Sequence, residues 1–65
     1  MRISDLRDRL TLSFGSAWAP SFAQDIVIAE LGGRTVDEAL AAGEEPADIW
    51  KAVCKSHPAE TANFR

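Results

Sequence analysis

One cysteine, one histidine and no tyrosine occur in the 65 residues. A single cysteine cannot close an intrachain disulfide, and Cys54 with His57 falls short of the four ligands of a structural zinc site. No apolar run approaches the ~18 residues that a membrane-spanning helix needs, so no membrane association is expected. The opening residues lack the basic and apolar regions of a secretory signal, and a cytoplasmic location is the expectation. Basic side chains are scarce as well, seven against ten acidic, for a net charge of −3. That balance disfavours a general polyanion binder, whose footprint is a basic surface. No cofactor motif is present, and none is expected to bind.

What remains is an ordinary globular composition, 46% hydrophobic and 26% charged. The length allows one core, and a core this small supplies only ~3–5 kcal/mol of net stability without disulfides or metals. A large buried active-site cavity would remove packing from that interior, so a noncatalytic protein is expected.

The spacing of apolar residues predicts helices throughout. Ser4 reads as the N-cap of a helix over 4–14, with Ile3, Leu6, Leu10 and Phe14 on one stripe and Gly15 as its stop. A second helix is expected over 17–31, with Pro20 in its first turn and Gly32 at its end. Its main face carries Trp18, Phe22, Ile26 and Ala29, while Val27 and Leu31 point away. Thr35 and Glu38 form a T-x-x-E capping box opening a third helix over 36–42. Pro46 opens a fourth over 46–57, whose Ile49, Trp50, Val53, Cys54 and His57 share a face opposite Lys51 and Lys55. The expected architecture is therefore all-α, a compact bundle of four short helices. Residues 1–57 would form the single domain and 58–65 a flexible tail, with Phe64 available to dock.

A resemblance accompanies these patterns. The run Glu30-Leu31-Gly32-Gly33-Arg34-Thr35, then Ala39-Leu40, Gly43, Pro46 and Ile49-Trp50-Lys51-Ala52-Val53-Cys54, follows an opening Met1-Arg2-Ile3-Ser4 and the pair Phe14-Gly15. Together these resemble a small actinobacterial family of unknown function, over roughly residues 1–54. Its members are short helical proteins often encoded near the recombinase RecA and its regulator RecX. The resemblance implies a compact cytosolic protein and a link to recombination or repair, and it brings no catalytic residues with it.

Candidate chemistry is thin. Ala39, Gly43 and Ile49 have the spacing of a helix-turn-helix, whose second helix enters the major groove of DNA. Glu44, Glu45 and Asp48 crowd the start of that helix with the wrong charge, so an ordinary helical hairpin is the stronger reading. Residues 32–45 alone carry a net −3, and the rest of the chain is balanced. The Gly32-Gly33-Arg34-Thr35 loop reads as a helix connector, with Arg34 pairing a carboxylate. Asp25 falls among Trp18, Phe22 and Ala29 and is expected to be a buried, partnered polar group. Cys54 and His57 read as a core cysteine with a peripheral histidine rather than a nucleophilic pair or metal site. Trp18 and Trp50 read as core residues; an exposed tryptophan would be the first candidate for a protein-binding hot spot.

The leading expectation is a protein-interaction or regulatory module that engages another protein or itself. Its candidate surface residues are Val27, Leu31, Arg34, Lys51 and Lys55. The alternative is a nucleic-acid-associated accessory protein using the hairpin.

Overall fold

The computed structural model describes all 65 residues and contains five α-helices and one 3₁₀ turn, with no strand. Helix α1 spans Ile3–Phe14. It begins before the expected Ser4 cap: extended Arg2 is the cap residue, and its amide donates to the Asp5 carboxylate at 2.9 Å. That bond satisfies the amide preceding the first turn and leaves Ser4 inside the helix. Leu6 and Leu10 are buried and Phe14 partly so, whereas Ile3 overhangs the core at the helix start and is 55% exposed.

The expected helix over 17–31 is split. Helix α2 covers only Ala19–Asp25, with Pro20 in its first turn. The chain then runs extended through Ile26–Ile28, and Ile28 forms an isolated antiparallel bridge with Arg34, its amide donating to the Arg34 carbonyl at 3.0 Å. A 3₁₀ turn at Ala29–Leu31 follows. The cause lies in burial. On a continuous helix Leu31 would project from the side opposite Phe22 and Ile28 from about 120° around it, since each residue advances about 100°. Breaking the helix lets Phe22, Ile28 and Leu31 enter one core, at 1%, 1% and 6% exposure. β-branched Ile26, Val27 and Ile28 favour the extended backbone this requires. Gly32 then takes the left-handed conformation, φ 71° and ψ 28°, that reverses the chain toward Arg34.

Helix α3, Val36–Ala41, opens with the expected capping box. The Glu38 amide donates to Thr35 Oγ1 at 3.1 Å, and the Thr35 amide donates to Glu38 Oε1 at 2.9 Å. Its far end is closed by two bonds around Gly43: the Gly43 amide to the Leu40 carbonyl and the Glu44 amide to the Ala39 carbonyl. These are the paired bonds of a Schellman motif, which needs a residue at positive φ; Gly43 supplies 85°.

Helix α4, Pro46–Ser56, buries Ile49, Trp50, Ala52 and Val53, and it packs against α1, α3 and the 3₁₀ turn. It is the central element. The segment read as a tail contains a further one-turn helix, α5, over Pro58–Thr61, which packs on α1 and α4. Thr61 is fully buried and its hydroxyl donates to the His57 carbonyl at 2.8 Å, while Phe64 packs against the core.

Thirteen buried apolar residues form one continuous core. The accessible surface is 3879 Å². A folded monomer of this mass presents roughly 4,100 Å². The chain thus exposes no more surface than an ordinary folded monomer of its mass.

Candidate interaction surface

The two tryptophans, alike in sequence terms, part company in the fold. Trp50 sits on the inward face of α4 at 4% exposure, with the Arg9 guanidinium 5.7 Å from its ring centroid. That placing is within reach of a cation–π attraction. Trp18 precedes α2 at the end of the α1–α2 connection, and 47% of it remains in contact with solvent. Its expected place in the core is thus corrected. Trp18 is helical in backbone, and its carbonyl accepts the Phe22 amide at 2.8 Å, but the buried arc of α2 is centred on Ala19, Phe22 and Ala23, roughly 90° around the helix from Trp18.

The other candidate surface residues divide. Val27 is 61% exposed, because the extended segment alternates its side chains and sends Ile28 inward. Leu31 is not a surface residue; the 3₁₀ turn tucks it against the core. Arg34 is exposed and pairs with Glu44, Nη1 to Oε2 at 3.4 Å, which ties the glycine loop to the α3–α4 connection. Lys51 and Lys55 are exposed on α4 and form no ion pair. Sequence reasoning passed over Leu12, which is 61% exposed on the side of α1 away from the core. A lone leucine outside the stripe carries no periodic signal.

A shallow groove of about 330 Å³ lies between α1 and α2, lined by Arg7, Leu10, Thr11, Ala19 and Pro20. Arg7 on its edge is held by Asp37 of α3, Nη2 to Oδ1 at 2.7 Å. Both side chains are about half exposed, so the pair orients Arg7 more than it stabilises the fold.

Asp25 also needs correction. Because it lies on the side of α2 that the core does not cover, its carboxylate is exposed rather than buried, and it makes no side-chain hydrogen bond or ion pair. His57 caps α4, and its ring meets Phe14 and Phe22 edge-on at 5.7 and 5.0 Å while those two phenyl rings stack at 4.1 Å. Its Nδ1 lies 2.8 Å from Ser56 Oγ, a local contact at the helix end. Cys54 is partly buried against the core. No three His, Cys, Asp or Glu side chains converge on a common point.

In the α3–α4 hairpin, Ala39 and Ile49 are fully buried and Gly43 makes the turn. Exposed Glu45 and Asp48 stand at the start of α4, with Lys51 and Lys55 farther along.

Such a molecule falls in the class of small all-α domains, with Trp18, Leu12, Val27 and Ile3 exposed on its surface. Within that class, the chain belongs to the family described as "Protein of unknown function (DUF3046)", whose model matches residues 1–59. No curated protein and no solved structure matches it. No helix is long and apolar enough to cross a membrane.

Proposed function

We propose that this protein is a noncatalytic interaction module of the cytoplasm, engaging a protein partner or a second copy of itself through the surface around Trp18. The observation that carries the reading is the 47% exposure of that indole in a chain whose other tryptophan is buried. Tryptophan is enriched among residues that dominate binding energy at protein interfaces. Val27 and Leu12 add exposed apolar surface. The single continuous core of 13 buried residues within one chain favours a reversible encounter over an obligate assembly.

The test is a comparison of the wild-type chain with Trp18→Ala at matched thermal stability. Sedimentation over a concentration series reads self-association, and capture from the native cytosol reads a heterologous partner. Loss of association or of a captured partner in the variant is the expected result. A chain that stays monomeric and captures the same proteins with or without Trp18 overturns the proposal.

A second reading, a nucleic-acid accessory linked to recombination or repair, draws on the α3–α4 hairpin, where buried Ala39 and Ile49 flank the Gly43 turn. The resemblance to an actinobacterial family encoded near RecA and RecX points the same way. Lys51 and Lys55 would contact phosphates, against the repulsion of Glu45 and Asp48. Binding to short DNA duplexes at low salt, weakening as salt rises, supports this reading, and absence of binding at low salt removes it.

A further inference from the structure

We draw no further inference here: the strongest candidate, the apolar groove between α1 and α2 lined by Arg7, Leu10, Thr11, Ala19 and Pro20, carries nothing because no feature of the structure shows what covers it.

Discussion

Single side chains carry much of the information in a chain this short. Thr35 is 5% exposed and accepts the Glu38 amide, so Thr35→Ala removes a helix cap that nothing else replaces. Such a loss costs about 1 kcal/mol. Chemical denaturation followed by circular dichroism checks it, and a Thr35→Ser variant should recover most of the loss. Gly32 isolates a backbone term, since a Cβ there would meet no atom within 4 Å yet its φ is 71°. Gly32→Ala should destabilise by ~1–2 kcal/mol, the left-handed penalty for a residue with a Cβ, and Gly32→Asn by less. Equal losses for the two variants would place the effect in packing rather than in the backbone. The tryptophans show where residue-level reading of the sequence stops. Both are bulky, both sit near apolar neighbours, and only the side of its helix that meets the core distinguishes them. Asp25 failed for the same reason: it lies within about 20° of Trp18 around α2, on the side that the core does not cover.

The elements themselves were legible in proportion to how local their causes are. Helices α3 and α4 could be read because their start and stop signals lie within a few residues: Thr35 with Glu38, Gly43 at the turn that the Gly43 and Glu44 amides close, and Pro46. The break after Asp25 could not, because its cause is a contact between Ile28 and Arg34 and the pull of a core that the local pattern does not contain. A run of Trp18, Phe22 and Ile26 at four-residue spacing continues to look helical past the point where the helix ends. Amide hydrogen exchange separates the two arrangements. The Ile28 amide, bonded to the Arg34 carbonyl, should be protected, whereas the Val27 amide, outside the helices and with no backbone partner, should exchange rapidly. A continuous helix would protect both. Side-chain truncation draws the same boundary. Ile28→Ala should cost ~2–5 kcal/mol as a cavity in the core, while Val27→Ala should fall within about 0.5 kcal/mol of wild type.

At the scale of the whole molecule, the all-α architecture was readable and the number of pieces was not. Four expected helices became five and a 3₁₀ turn, because the last segment finds a place on α1 and α4. Buried Thr61 and docked Phe64 predict that a chain ending at His57 loses stability, read as a lower denaturation midpoint with a smaller dependence on denaturant. An unchanged midpoint would mean that α5 and Phe64 contribute nothing to the core. The candidate surface was half legible. Val27, off the helical stripe, lies at the surface, whereas Leu31, placed by the same reasoning, is buried. Charge placement was the most durable whole-chain reading, since it needs no helix boundaries. The acidic region between Gly32 and Glu45 still flanks the hairpin that would read DNA.

The contrast between the two tryptophans has an optical consequence. An indole in water emits at longer wavelength than one packed in protein, and iodide reaches only the former. With no tyrosine in the chain, the fluorescence should resolve into a red-shifted, quenchable component from Trp18 and a blue-shifted, shielded one from Trp50. Trp18→Phe and Trp50→Phe spectra assign them. A ligand that covers the surface around Trp18 would then alter one component alone, whereas loss of the fold alters Trp50 as well. The chain thus carries separate built-in reporters of contact and of integrity.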